Sequence, residues 1–314
     1  MNRLRCAVIG AGYLGRFHAQ KYASLPRCEL VGVVDTDAAA RERIAAELGV
    51  PVAGDHRTLL GRVDAVSVVT PTATHHAIAM DFLAAGTHVL VEKPMTTTAA
   101  QARELIAVAA AGGRVLQVGH LERFNPVILA IAGELTNPRF IESNRLAPFK
   151  PRGTDVSVVL DLMIHDIDLV QNVVRSPIAS IDAVGAPVFT DEIDIAKARI
   201  RFEGGCVADV TASRISMKSE RKLRIFQGDA YLSIDLQHKL LTIVRRPAVI
   251  DEGVTPKVDV EERSFEPGDA LLAEIEAFLA AIDQGRAPVV SGEDGLRALE
   301  TATRIAEQLG RRPL

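Results

Sequence analysis

The stretch AVIGAGYLG, residues 7–15, carries Gly10, Gly12 and Gly15 in a G-x-G-x-x-G spacing. The spacing alone is common, and its setting makes it informative. The apolar run RCAVIG (5–10) leading into it reads as a strand, and a helical pattern follows over 15–25. At such a junction Gly10 permits a tight turn, Gly12 lets backbone approach a pyrophosphate, and Gly15 allows the helix to pack closely on the strand. The helix start, with the N–H groups of Tyr13 and Leu14, offers donors and a partial positive charge to an anion. A second apolar run, ELVGVVD (29–35), ends on Asp35, twenty positions after Gly15. A carboxylate there is placed to accept from the hydroxyls of an adenine ribose. Thr36 and Asp37 follow without an adjacent Arg or Lys, so a 2′-phosphate would meet two acids. NAD rather than NADP is the expected cofactor.

Further runs continue the pattern: DAVSVVT (64–70), THVLVE (87–92) and RVLQVG (114–119). Helical patterns at 37–48, 74–85 and 98–111 lie between them. Continuous Val/Ile/Leu strands separated by helices imply a parallel sheet covered on both faces. The texture changes after HLERFNP (120–126). A helix is predicted over 161–174, followed by β-like runs between 180 and 246 joined by short turns such as EGG and QGD. Consecutive strands of that kind imply an antiparallel or mixed sheet. The acidic, Pro-containing segment 247–268 reads as a surface excursion, and helices are predicted near 269–284 and 293–309. The expected fold is therefore α/β. A Rossmann dinucleotide-binding domain spans 1–121, and an α+β domain with an open, mainly antiparallel sheet spans 122–314. The closing helices are free to pack back on the first domain.

Composition sets outer limits. The 314 residues are 48% hydrophobic and 24% charged, enough core for two domains. The formal net charge of −4 leaves no global basic footprint for nucleic acid. No apolar run approaches the roughly 20 residues of a membrane span. The apolar stretch within MNRLRCAVIG is too short for a secretory signal. Cys6, Cys28 and Cys206 form no C-x-x-C pair and read as reduced core thiols, so a cytoplasmic protein is expected.

Two segments carry candidate chemistry. In VEKP (91–94), Lys93 sits just beyond a strand end, where parallel sheets bind ligands. It either donates to a reacting oxygen near the cofactor or is a surface lysine before a proline turn. The second segment, LDLMIHDIDLV (160–170), is apolar yet holds Asp161, His165, Asp166 and Asp168. On a helix, Asp161 and His165 lie four apart on one face, with Asp168 three further on. Three readings stay open: an acid–base pair in which a carboxylate tunes the imidazole, a metal site, and an amphipathic helix with an acidic face. Asp161 also falls where a carboxylate can cap the helix. A metal needs three or four convergent ligands, and the glycine turn already supplies a redox cofactor, so no metal is expected.

Together these segments resemble the Gfo/Idh/MocA family, named for glucose–fructose oxidoreductase and inositol dehydrogenase. The resemblance runs through VIGAGYLG, TPTATHHAIA (70–79), VEKPM, DLMIHDID and the closing EIEAFLAAIDQGRAPVVSGEDGLRAL. It implies NAD(P)-dependent oxidation of sugars or cyclitols, and dimers or tetramers assembled through the second domain's sheet. Lys93 and His165 would then be the catalytic pair, with Asp161 their partner. Thr70, Pro71 and His75 would line the cofactor, and Glu92 would lie near the nicotinamide ribose. Arg123 and Asn125 would sit beside the cofactor or substrate, although Asn-Pro is otherwise simply a turn before a helix. GHLERFNP (119–126) and the segments 142–168 and 212–228 resemble the branch that oxidises the 3-hydroxyl of UDP-N-acetylglucosamine. Arg145, Phe149 and Arg152 are the expected substrate contacts. Arg145 and Arg152 form, with Arg123, Lys150, Arg214, Lys218, Arg221 and Lys222, a cationic set suited to a diphosphate, unless these are the solvent-facing charges of exposed strands. A dehydrogenase of a free sugar or inositol, and a cofactor-binding regulator without turnover, are the competing readings. The joint presence of Lys93, Asp161 and His165 argues against the regulator.

Overall fold

In the computed structural model the described residues are 3–151, 156–247 and 258–311. Their contacts divide the chain into two compact units, Met1–Leu121 with Asp269–Leu299, and Glu122–Gly268 with Glu300–Leu314.

The first unit is built on six parallel strands: β1 (Leu4–Ile9), β2 (Cys28–Val34), β3 (Val52–Ala53), β4 (Ala65–Val68), β5 (His88–Glu92) and β6 (Leu116–Gly119). Their order is β3-β2-β1-β4-β5-β6. This is the doubly wound dinucleotide-binding order, whose chain reversal lies between β1 and β4, beside the glycine turn. The two-residue β3 is too short to give a periodic signal in the sequence. Helices α1 (Tyr13–Ser24), α2 (Ala38–Leu48), α3 (Thr72–Ala84) and α4 (Ala99–Gly112) connect the strands. Asp37 caps α2 by accepting from the Ala39 N–H, and Thr98 caps α4 at Gln101. Helix α7 (Ala270–Gln284), capped by Asp269 at Leu272, belongs to this unit. Its Leu271, Ile275, Phe278 and Leu279 pack in one cluster with Cys6, Val8, Tyr22, Cys28 and Leu90. Each such fully buried side chain contributes roughly 1.5–3 kcal/mol. All three cysteines are free and buried.

The second unit carries an eight-stranded sheet of β7 (Pro138–Leu146), β8 (Ile178–Ala186), β9 (Ile195–Phe202), β10 (Val207–Ser213), β11 (Glu220–Gln227), β12 (Ala230–Asp235), β13 (Leu240–Arg245) and β14 (Asp259–Ser264). The order is β14-β13-β12-β11-β7-β10-β9-β8, antiparallel except for the β7–β10 pair. Strict alternation in β9 buries Ala196, Ala198, Ile200 and Phe202 and exposes the residues between them. Two expectations are corrected here. The excursion 247–268 contributes an edge strand, β14, although residues 248–257 lie outside the described residues. The helix predicted from 161 begins as a π turn over Val159–Met163 and becomes α6 at Ile164–Val174. The Ile164 N–H reaches the Val159 carbonyl five residues back. Such π turns are rare and concentrate at functional sites.

Candidate active site

Gly10 has φ +105°, a region that favours glycine, and a Cβ there would lie 2.4 Å from the Val69 carbonyl oxygen. A Cβ on Gly15 would sit 1.9 Å from the Gly10 carbonyl oxygen. Close packing therefore dictates both positions. Gly12 differs: no atom lies within 4 Å of a Cβ built on it, and it is exposed at the start of α1. That open cradle, flanked by the α1 N–H groups of Tyr13 and Leu14, fits a pyrophosphate. The Asp35 carboxylate accepts from the Ala11 N–H at 2.6 Å through Oδ2 and from the Asp37 N–H at 2.9 Å through Oδ1. Each oxygen keeps a lone pair for a ribose hydroxyl. Arg41, outside the short window read for specificity, donates to the carbonyls of Asp35 and Thr36 at 2.8 and 3.0 Å.

These contrasts separate folding from binding. Gly15→Ala is expected to cost about 1–3 kcal/mol by overpacking and to lower the melting temperature. Gly12→Ala should leave the melting temperature of the unliganded chain unchanged, yet weaken NAD binding at least about tenfold by blocking backbone approach. Thermal melts and NAD titration calorimetry on the two variants check both statements.

Lys93 follows β5 and is half-buried. Its N–H donates to Glu92 Oε2 at 3.2 Å. Glu92 Oε1 lies 3.3 Å from Nε2 of the buried His18 on α1. Thr70 is half-buried, Pro71 is exposed at the start of α3, and Thr74 donates its hydroxyl to Thr70 Oγ1 at 2.7 Å. His75 departs from expectation. It is buried, with Nε2 2.7 Å from the Thr70 carbonyl and Nδ1 3.0 Å from the Pro94 carbonyl. Burial pushes its pKa below the ordinary value, against the pull of both carbonyls. Its ring lies between the Thr70 turn and the turn that carries Lys93.

In the second unit the four polar residues of the opening π/α segment separate by exposure. Asp161 and His165 are half-buried, whereas Asp166 and Asp168 are fully buried. The buried acids are matched by arginines. Asp166 accepts from Arg145 Nε at 2.5 Å and from the Ser143 hydroxyl at 2.7 Å. Asp168 accepts a bidentate pair from Arg123, at 2.6 and 2.8 Å. The N-cap positions of the π turn and of α6 are Val158 and Met163 rather than Asp161, which corrects the capping reading.

Those pairs revise three expected contacts. Arg145 is only 4% exposed and also bonds Glu122 at 3.0 Å, so Nε and Nη1 are spent on acids, while Nη2 has no partner among the described residues. Burial opposes its charge, but Asp166 and Glu122 outweigh that and hold its pKa above the ordinary arginine value. Arg123 is likewise buried against Asp168. Asn125 accepts from the Val127 N–H, capping α5 (Pro126–Ile131), and donates to the Leu236 carbonyl at 3.1 Å, so it serves the turn reading. Phe149 is 39% exposed and meets Phe189 edge-on, ring centroids 5.4 Å apart. Arg152 lies outside the described residues. Three of the remaining cations have acidic or carbonyl partners: Arg214 reaches the Val156 carbonyl, Lys218 pairs with Glu220, and Arg221 approaches Glu122.

Comparison with known proteins agrees with this architecture. Residues 4–120 match the family model described as an oxidoreductase family with an NAD-binding Rossmann fold, and residues 128–231 match the GFO/IDH/MocA C-terminal domain. The UDP-N-acetylglucosamine 3-dehydrogenase of Acidithiobacillus ferrooxidans is 42% identical over 307 residues, covering 97% of each chain. The chain belongs to the Gfo/Idh/MocA family. A solved structure of that A. ferrooxidans enzyme superposes with a TM-score of 0.93, covering 98% of both chains at 41% identity. The scyllo-inositol 2-dehydrogenase (NAD(+)) of Bacillus subtilis is 28% identical, over 95% of this chain and 92% of its own. As a Gfo/Idh/MocA member the chain carries an NAD-binding Rossmann domain on its first unit.

Sequence reading missed His18, Glu122 and Glu274 around these groups. His18 lies three residues after Gly15 on α1, so helix periodicity places it on a face adjoining the glycine turn. Glu274 lies on the buried face of α7, between Leu271 and Phe278, an acid on an apolar face that was the available signal.

Proposed function

We propose that this protein is an NAD-dependent dehydrogenase that oxidises the 3-hydroxyl of UDP-N-acetylglucosamine. The observation that carries the reading is full-length likeness, at 42% identity, to an enzyme of that activity, in a chain that has Lys93, Asp161 and His165 together. NAD, when bound, supplies the hydride acceptor at C4 of its nicotinamide. Lys93 donates to the reacting oxygen and stabilises negative charge developing there. His165 takes the hydroxyl proton as general base, and Asp161 orients the imidazole and favours its protonated form. Gly12 and the α1 N-terminus hold the pyrophosphate, and Asp35 holds the adenine ribose. Thr70, Pro71 and Glu92 border the cofactor, and Phe149 borders the substrate.

A half-buried aromatic row on one sheet face supports a homodimer or homotetramer. Phe140, Phe226 and Tyr231 stack across β7, β11 and β12 with centroids 5.6 and 4.7 Å apart, and the same row runs on through Val244 of β13 to the exposed Val260 of β14. No described helix is long and apolar enough to cross a membrane, in keeping with the proposed cytoplasmic location.

The test is NADH absorbance with purified protein, NAD and UDP-N-acetylglucosamine, against myo-inositol, scyllo-inositol and free N-acetylglucosamine. Turnover with the UDP-sugar alone is the expected result. Turnover confined to an inositol or a free sugar would reassign the substrate, and binding without any redox change would make the protein a regulator. Repeating the assay with NADP should give the lower kcat/KM, because Asp35 and Asp37 oppose a 2′-phosphate while Arg41 is held on two carbonyls.

A further inference from the structure

Two carboxyl groups and an imidazole converge beneath the Glu92–Lys93 turn. Nitrogen or oxygen atoms of His18, Glu92 and Glu274 lie within 4.8 Å of one another. All three residues belong to the first unit. Glu274 is fully buried, and neither carboxyl oxygen has a hydrogen-bond partner among the described residues. Its place is nevertheless fixed, because Gln117 on β6 donates to its backbone carbonyl at 3.0 Å. Glu92 is held too. Its carboxylate lies over Gly119, where a Cβ would come within 2.8 Å of it.

The two acids have unequal surroundings. Glu92 accepts the Lys93 backbone N–H, and His18 Nε2 lies 3.3 Å from its other oxygen, where it donates in the Nε2-protonated tautomer; both contacts stabilise a negative charge. Glu274 has none. Two bare carboxylates this close in a buried site would repel strongly, and an unsolvated anion without donors is costly. A single proton resolves the conflict, and the donor-poor acid is where it rests. That proton also turns a like-charge contact into a donor–acceptor one.

We propose that Glu274 is a positioning residue that stays a neutral carboxylic acid and directs its proton toward Glu92, holding the carboxylate that receives the Lys93 N–H. Burial, and then the charge of Glu92, push the Glu274 carboxyl well above the usual carboxylate range, in the same direction. Other titratable groups on or beside the elements around the pair include His18 and Tyr22 of α1, His75 of α3, Lys93 after β5, the buried His120 after β6, and the thiols Cys6 and Cys28. None differs between the wild type and the variants used below.

The test uses the full chain and two variants, Glu274→Gln and Glu274→Ala. An acid whose folded pKa is raised binds its proton more tightly folded than unfolded. Its stabilisation is complete below the unfolded value, about 4.3, and is lost as pH rises toward the folded value. Glutamine keeps the neutral shape and a donor but has no proton to lose. The melting temperature of Glu274→Gln should therefore exceed that of the wild type at pH 8, by at least about 2 °C. The gap should shrink toward pH 5. A variant less stable than wild type at pH 8, or a gap independent of pH, overturns the neutral acid. So does a stoichiometric metal ion that survives dialysis of the wild type and disappears in Glu274→Gln.

The positioning role rests on the proposed dehydrogenase reading and is measured separately. Glu274→Ala should lower kcat at least about tenfold while NAD affinity stays within about threefold, and Glu274→Gln should restore most of the loss. Unchanged kcat in Glu274→Ala removes the positioning role. A wild type with no turnover on any substrate refutes the dehydrogenase reading instead, and leaves the melting series to decide the protonation of Glu274.

Discussion

Lys93→Ala and His165→Ala are each expected to lower turnover by about 10²–10⁴-fold while NAD binding survives. In the proposed mechanism both residues act on the hydroxyl oxygen and its proton, and neither holds the pyrophosphate or the adenine ribose. The loss should therefore appear in kcat and kcat/KM together, as for an interaction made chiefly in the transition state. Their effects should not add. Once the proton has no acceptor, charge stabilisation at the oxygen has little to act on, so the double variant should fall well short of the product of the singles. Asp161→Asn should give a smaller loss and shift the acidic limb of the pH–rate profile, since it removes a charge that favours the imidazolium. Steady-state NADH formation from pH 6 to 10, with NAD titration calorimetry for each variant, checks these statements. Near-wild-type turnover in Lys93→Ala or His165→Ala removes that residue from the chemistry.

The glycine turn shows what a sequence states openly. Gly10, Gly12, Gly15 and Asp35 are local, and each does its work within one strand–turn–helix unit and the next strand end. Spacing alone therefore places them. The segment LDLMIHDIDLV was legible only in part. Periodicity puts Asp161 and His165 on one face, but it does not say which acids are buried. Asp166 and Asp168 are neutralised by Arg145 on β7 and by Arg123 in the turn before α5, partners that only the tertiary fold brings near. The same long-range pairing is why Arg145 and Arg123 read as ligand contacts. A cation in a sequence looks equally available whether it faces a phosphate or a buried aspartate. His75 is read from its motif, which does not say that its ring is buried between the Thr70 and Pro94 carbonyls, where a neutral imidazole donates to one of them. The π turn at Val159–Met163 leaves no compositional mark, because the residues that form it are ordinary helix formers.

The largest effect on stability is expected from Arg145→Met. Methionine matches the length of the aliphatic stem but leaves the carboxylates of Asp166 and Glu122 without their shared cation in a buried site. Breaking one partner out of a buried ion pair costs about 3–5 kcal/mol, on the order of 10 °C in melting temperature. Arg221→Met provides the contrast. Arg221 approaches the same Glu122 at 3.4 Å, but its side chain is 52% exposed. Solvent screening should keep its loss below about 1 kcal/mol. The pH dependence follows from Glu122. Burial alone would raise its pKa, but Arg145 and Arg221 hold it below the usual carboxylate range. A depressed folded pKa contributes stability above the unfolded value of about 4.3, and loses it as pH falls through the folded value. Without Arg145 the burial effect dominates and the sign reverses, so the variant loses stability as pH rises. The gap between wild type and Arg145→Met should widen from pH 5 to pH 8. Adding Asp166→Asn to Arg145→Met should recover part of the loss, because a neutral amide no longer needs the missing charge. A gap that narrows with pH, or a melting temperature within about 2 °C of wild type, would mean that Arg145 is hydrated and available to a ligand after all.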